Sequence, residues 1–341
     1  MNKNKFPVAV FLTDTHKQKD NLDLVYGIFI QALDLAEKLK CKYIFHGGDF
    51  FNDRIGQNLT NLLMFQEILN EFERRQITLV GIPGNHDKTD QESEKSYLSI
   101  FKSQNFKLFE KEGVFKTMGI TFHFLPFFSK SMPERLERLK ESIVKDKTIL
   151  IAHAAFNGVR NNDGSKAKDG LKKKSVKEYN KVLVGHYHDS SLIGKNIYFT
   201  GSAYQANFGE NSEDKGFTVI YDDCSIKSVK SRFKKFIKVK LDVDCDLETE
   251  LEAIKDPTSS HIRFIFEGNK SDLSKLDTKR LDSLGIDYKF EWNDINEEIL
   301  KVEGGEFGSL DKKTVLKFFL EYCKIQSIES KQRTFGLKIL N

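Results

Sequence analysis

Five short clusters along the chain carry side chains that bind cations through oxygen or imidazole nitrogen. They are Asp14-Thr15-His16, Gly48-Asp49, Gly84-Asn85-His86-Asp87, His153, and Gly185-His186-Tyr187-His188. The donors mix carboxylate, amide and imidazole without thiolate, which suits manganese, iron or zinc in a catalytic role better than a closed structural zinc. There are more donors than one ion needs, and the economical arrangement is two ions roughly 3.5–4 Å apart, bridged by a carboxylate. Two cations can supply a hydroxide nucleophile and neutralise charge on phosphoryl oxygens, as hydrolysis of a phosphodiester requires. A neighbouring imidazole can assist the leaving oxygen. In Asp14-x-His16 and His186-x-His188 the two side chains share one face if the backbone is extended. Glycines before Asp49, Asn85 and His186 allow sharp turning beside the ions. Any one cluster is ordinary: Pro83-Gly84-Asn85 is turn chemistry, and His153 alone reads as a core histidine. All five in this order are a different matter.

Each cluster follows a short apolar run, so strands must deliver these groups. "FPVAVFLTDTH", "KYIFHGGDFF" and "ITLVGIPGNHD" read as strands, separated by amphipathic helices in "LDLVYGIFIQALDLAEKLK" and "NLTNLLMFQEILNEFERRQ". Residues 114–128 read as a β-hairpin turning near Met118-Gly119, followed by a helix and three strands, "TILIAHAAF", "KVLVGHYH" and "NIYFTGSAY". Strand–helix–strand alternation argues α/β architecture. In such sheets sites form beyond the carboxyl ends of the strands, where these clusters can converge. After about residue 230 the texture becomes a small α+β unit without clustered ligands, and the chain ends in one amphipathic helix from Leu310.

Composition narrows the class. The 341 residues are 39% hydrophobic and 30% charged, which fits a soluble two-domain protein with ample core. No apolar stretch is long enough for a membrane span, and "MNKNKFPVAVF" lacks a secretory apolar segment, so a cytoplasmic, membrane-free protein is expected. Cys41, Cys224, Cys245 and Cys323 are scattered, which indicates neither a zinc finger nor a disulfide framework. The net charge of +4 is compatible with a polyanionic partner without identifying one.

The order D-x-H, GD, GNHD, H, GHxH resembles the calcineurin-like metallophosphoesterase superfamily over residues 7 to 220. The resemblance implies a two-sheet β-sandwich flanked by helices. It also implies two divalent metals, with manganese expected. Asp14, His16 and His188 would hold the first, and Asn85, His153 and His186 the second, with Asp49 bridging. His86 would stabilise the transition state or protonate the leaving group, and Asp87 would orient its imidazole.

The superfamily includes phosphatases, cyclic-nucleotide phosphodiesterases and nucleases, and two features favour DNA. The stretch with Tyr198, Gly201, Ser202, Glu210 and Lys215-Gly216-Phe217 is similar to one in SbcD-type repair nucleases. The unit at 233–303 and the terminal helix at 304–341 resemble the capping domain and ATPase-binding tail of those enzymes, leaving 1–232 as the nuclease domain. The compact length is similar to phage recombination endonuclease subunits. Expected partners are double-stranded DNA ends, an SMC-like coiled-coil ATPase docked on Val315, Phe318, Phe319 and Cys323, and a second copy through the helices near 22–40 and 59–75. Lys166, Lys168, Lys172, Lys173 and Lys174 are candidate phosphate contacts, against a plain solvated surface. Asn52 stands where many of these nucleases carry His or Asp, and Lys17 follows the D-x-H pair in place of Leu-Gly. His46, His123 and His261 read as structural. A phosphatase or phosphodiesterase acting on small or protein substrates remains the alternative.

Overall fold

The computed structural model describes residues 5–159, 167, 170–210, 215–253, 260–268, 270–274, 276 and 278–292. The terminal helix expected at 304–341, with Val315, Phe318, Phe319 and Cys323, lies outside these residues, as do Lys166 and Lys168.

Strands β1 (Pro7–Leu12), β2 (Tyr43–His46), β3 (Thr78–Gly81) and β4 (Phe106–Leu108) run parallel side by side. Strands β5 (Gly113–Thr117) and β6 (Ile120–Leu125) form the expected hairpin, and Met118 and Gly119 at its turn both have positive φ (46° and 76°). Strands β7 (Thr148–His153), β8 (Lys181–Gly185), β9 (Ser191–Ile193) and β10 (Ile197–Phe199) complete that second sheet in the order β5-β6-β7-β8-β10-β9. The chain then returns to the first sheet through β11 (Gly216–Tyr221), antiparallel to β1, and β12 (Ile226–Lys230). The first sheet therefore reads β12-β11-β1-β2-β3-β4. The architecture is the two-sheet α/β sandwich expected, and the two strands that close its first sheet went unforeseen.

The sandwich exists because the central strands are apolar on both faces. Phe11, Phe45, Val80, Phe122, Ile149, Ile151 and Leu183 pack between the sheets. Their alternates Val10, Leu12, Ile44 and Leu79 face helices α1 (Leu22–Lys38) and α2 (Leu59–Arg74), while Leu150, Ala152, Val182 and Val184 face α3 (Met132–Lys140). Helix α1 buries Val25, Ile28, Phe29, Ala32, Leu33 and Ala36, one stripe at helical spacing. The Asn58 side chain caps α2 by accepting from the Asn61 amide at 2.8 Å.

Beyond residue 234, β13 (Lys235–Asp242), β14 (Ser260–Gly268) and β15 (Asp287–Trp292) form a three-stranded sheet, with helices α4 (Leu247–Ala253), α5 (Lys270–Leu273) and α6 (Lys279–Leu284) between them. Among the described residues, one compact unit comprises those within 5–240, 245–265 and 279–289, and a second those within 241–244, 266–278 and 290–292.

Candidate metal centre and active site

Strand register brings the clusters level. Leu12 pairs with His46, and His46 with Gly81, so three loops leave the first sheet together; in the second sheet His153 pairs with Gly185. Backbone bonds then lace the loops: Asp14 N–H donates to Gly48 O and His16 N–H to Asp49 O, both at 3.0 Å. The fold bends sharply at the ligands themselves. Asp14, His16, Asp49 and His186 have φ of 54°, 41°, 55° and 89°, a conformation side chains adopt only where the surroundings impose it.

Three groups of candidate donors result: Asp14–His16–His188, Asp49–His153–His186, and His16–Asp49–His86, with ligand atoms within 4.8 Å of one another in each. Asp49 belongs to two of them. Its Oδ2 lies 3.3 Å from His153 Nε2 and 3.6 Å from His16 Nε2, while Oδ1 accepts from the His86 amide at 2.8 Å. Asn85 Oδ1 sits 3.0 Å from His153 Nε2 and 2.9 Å from His186 Nδ1. The Nε2 atoms of His16 and His188 face each other at 2.9 Å.

This arrangement fits divalent cations. Lone pairs of Asp14, Asp49, Asn85, His16 Nε2, His153, His186 and His188 converge rather than pair off. The buried carboxylates call for positive charge. Burial is the largest single influence on His153 and lowers its affinity for a proton, yet the charges of Asp49 and Asp14 outweigh it and raise the imidazole to about 9. Against burial, His153 and its neighbours hold Asp49 well below the usual carboxylate range. His186 is lowered to about 4, by burial first and by the charge of His153 second.

Two of the glycines serve close approach more than turning. A Cβ on Gly84 would lie 2.2 Å from Asp49 Oδ1, and one on Gly48, at φ 101°, would lie 2.5 Å from His153 Nδ1.

His86 stands edge-on to His16, ring centroids 4.8 Å apart. Asp87 does not orient it, contrary to expectation. The Asp87 carboxylate instead accepts from the Gly84 amide at 2.8 Å and the Phe51 amide at 3.0 Å, pinning the two loops together. Burial, and then the Asp49 charge, push Asp87 up to about 6. The imidazole is held by the Asn52 carbonyl at Nδ1 and by Arg54 Nη2, 2.9 Å from Nε2. The departure at position 52 is thus harmless to this contact, which uses the backbone. Arg54 carried no signal in the sequence beyond its distance from Asp49.

The stretch around Glu210 acquires a physical role. Glu210 Oε1 accepts from His188 Nδ1 at 2.8 Å, and its Oε2 lies 2.7 Å from Lys215 Nζ. Lys215, 1% exposed, also donates to Ser202 Oγ at 3.0 Å and to the His188 carbonyl. Such a carboxylate fixes the tautomer that leaves Nε2 free to bind metal. On the opposite flank, Lys88 Nζ donates to the Phe127 carbonyl at 2.9 Å, and the Phe127 ring stacks on His186 at 6.0 Å.

His16, Asp49, Asn85, His86, His186 and His188 line a cavity of about 1320 Å³. Its described lining includes Lys19, Arg54, Lys234 and His261. The reading of His261 as merely structural therefore needs revision, because it is exposed on the cavity wall. Lys172, Lys173 and Lys174 are exposed at a short 3-10 turn and do not line this cavity. His46 and His123 are core residues as read: His46 stacks on Phe50 at 3.6 Å, and His123 bonds Tyr179 at 3.0 Å and Ser142 at 3.1 Å.

The family model for the calcineurin-like phosphoesterases matches residues 8–190. A protein named as a phosphoesterase, 244L, of Invertebrate iridescent virus 6 is 22% identical over 67% of this chain and 82% of its own length. The DNA double-strand break repair protein Mre11 of Sulfurisphaera tokodaii is 26% identical over 61% of this chain and 58% of its own. A component of the nuclease SbcCD of Staphylococcus epidermidis is 24% identical over 42% of this chain and 46% of its own. The chain thus spans about half the length of the last two relatives.

Proposed function

Because the chain belongs to the calcineurin-like phosphoesterase family, and so hydrolyses phosphoesters with divalent metal ions, we propose that its substrate is the phosphodiester backbone of DNA. The observation that carries this reading is the opening of His16, Asp49, Asn85, His86, His186 and His188 onto a cavity of about 1320 Å³, whose lining holds Lys19, Arg54 and Lys234 beside Asp20 and Asp23. That volume exceeds the ~300–1,000 Å³ of typical small-molecule pockets. Relatives named for DNA break repair and for an SbcCD nuclease support the same reading.

Asp14, His16 and His188 would hold one ion and Asn85, His153 and His186 the other, with Asp49 beside both; manganese suits this donor set. When bound, such cations acidify water and neutralise charge on the phosphoryl oxygens. The chain supplies the rest. With Nδ1–H given to the Asn52 carbonyl, His86 turns Nε2 toward Arg54 Nη2 as an acceptor and holds that guanidinium for the charge growing on the departing sugar oxygen, which takes its proton from water. Asp87 keeps the loops in register rather than exchanging protons.

The larger assembly follows the same relatives. Residues 233–303 act as a capping domain over the DNA, 304–341 dock an SMC-like coiled-coil ATPase, and Lys172 to Lys174 track phosphates outside the cavity. Two copies pair through α2, whose Leu59 and Leu63 are 68% and 58% exposed one turn apart. The test is competition. Turnover of a chromogenic small diester with manganese should be inhibited by duplex DNA at micromolar ends. Turnover of a phosphomonoester that ignores DNA would favour the small-substrate phosphatase instead.

A further inference from the structure

The wall of the cavity facing away from the sandwich carries an aromatic stack that the hydrolytic chemistry does not use. Phe236, at the start of β13, and His261, in β14, lie with ring centroids 4.4 Å apart and planes 22° from parallel. Both line the same cavity as His16, His86 and His188, and all belong to the first compact unit. Phe208 meets Phe236 edge-on at 5.0 Å, and the Arg263 guanidinium lies 4.1 Å from the Phe208 centroid. Arg263 is in turn fixed by Asp287. The stack is therefore braced and ends in an exposed imidazole.

It is also tied to the metal loops at fixed reach. The Phe236 amide donates to Gln205 Oε1 at 3.0 Å. The preceding residue, Tyr204, donates through its hydroxyl to the Thr15 carbonyl at 2.7 Å, between the donors Asp14 and His16. Asn207 brings an exposed side-chain amide to the same wall, and Lys234 a cation. An apolar ring surface with an amide and a cation at its edges is the surface that holds an unpaired nucleotide: base on the rings, base edge on the amide, phosphate on the cation. A base inside a duplex has both faces covered by its neighbours, so such a platform takes a base at an end, and an unpaired one can also turn its edge to the Asn207 amide.

We propose that Phe236 and His261 form a stacking subsite for one unpaired nucleobase next to the cleaved phosphate, so that the enzyme takes DNA whose end is frayed or single-stranded. The proposal rests on the reading of the substrate as DNA. His261 is lowered from its ordinary value, first by burial and then by the charge of Lys234, so at neutral pH it presents a neutral ring.

The test uses the full chain and a single-stranded oligonucleotide carrying one 2-aminopurine, moved position by position, with calcium for binding and manganese for cleavage. Fluorescence should be quenched at one position beside the cleavage site. An abasic nucleotide there should weaken binding to the wild type roughly 5- to 150-fold, the range for one base–aromatic stack. In His261→Ala, an exposed position, the quench should fall and the abasic penalty shrink, whereas His261→Trp should restore both. Phe236→Ala should abolish them. An oligonucleotide that is cut but shows no quenched position and no abasic penalty would overturn the subsite while leaving the nuclease intact. One that is quenched as described but uncut would uphold the subsite and sink DNA hydrolysis. Failure to bind would overturn the subsite.

Discussion

At the scale of single residues, the site separates groups that hold charge from groups that hold those groups. The His86 ring nitrogens are fixed by a backbone carbonyl and a guanidinium, within reach of Asp49 but not bonded to it among the described residues. His86→Ala is therefore expected to lower kcat by about 10²–10³-fold while leaving metal binding, read by calorimetry, at two ions per chain. Loss of an ion in that variant would move His86 among the ligands. Glu210 works the other way. Because, among the described residues, its carboxylate meets His188 Nδ1, Lys215 Nζ and Ser202 Oγ, Glu210→Ala should weaken one ion about 10–100-fold and spare the other. Equal weakening of both would show that Glu210 supports the fold and not one ligand. These assignments differ in how well the sequence announced them. Asp14, His16, Asp49, Asn85, His153, His186 and His188 stood in compact clusters behind apolar runs. Asp87 misled because its partners, the Phe51 and Gly84 amides, are chosen by loop packing and not by its neighbour His86.

At the scale of elements, strand ends level the ligands and helices seal the outside of each sheet. Phe29 on α1 is buried against His46 and Phe72, with ring centroids at 5.8 and 6.2 Å. Phe29→Ala should cost about 3–5 kcal/mol in denaturant unfolding, through lost transfer energy and the cavity left behind. Strand β6 carries a pH dependence of its own. His123, 0% exposed, is lowered by burial from 6.5 to about 4. Its folded value lies below its unfolded one, so the unfolded chain takes up the proton first as pH falls. Stability tied to His123 is thus complete above pH 6.5 and is lost progressively as pH falls toward 4, on the order of 3 kcal/mol at about 1.4 kcal/mol per unit. Urea midpoints of His123→Asn measured across pH 7 to 4 should fall less than those of the wild type; parallel curves would remove His123 from the acid transition. Helices α1, α2 and α3 were legible from apolar spacing. Strands β11 and β12 were not, because their place beside β1 is a long-range pairing, Val10 with Val219, that no local pattern encodes.

At the scale of the whole molecule, the candidate metal donors and the aromatic pair Phe236–His261 belong to one compact unit and line one cavity. The pair was illegible in the sequence: Phe236 and His261 are 25 positions apart and meet only through strand packing. Deleting residues 305–341 should leave metal-dependent hydrolysis within a few fold and abolish co-purification with the coiled-coil ATPase. Leu63→Glu, on the exposed stripe of α2, should shift a dimer to monomer in sedimentation, and an unchanged species would place the pairing surface elsewhere. Among the described residues no helix is long and apolar enough to cross a membrane. The most direct measurement is cleavage of end-labelled duplex DNA by the full chain with manganese, beside Asp49→Ala and a chelator control. The account predicts shortened labelled strands that vanish with the chelator and fall by about 10³-fold in the variant, since Asp49 belongs to two of the three donor groups. Cleavage that survives both changes, or a chain that binds two ions and duplex ends yet leaves the DNA intact, would contradict it.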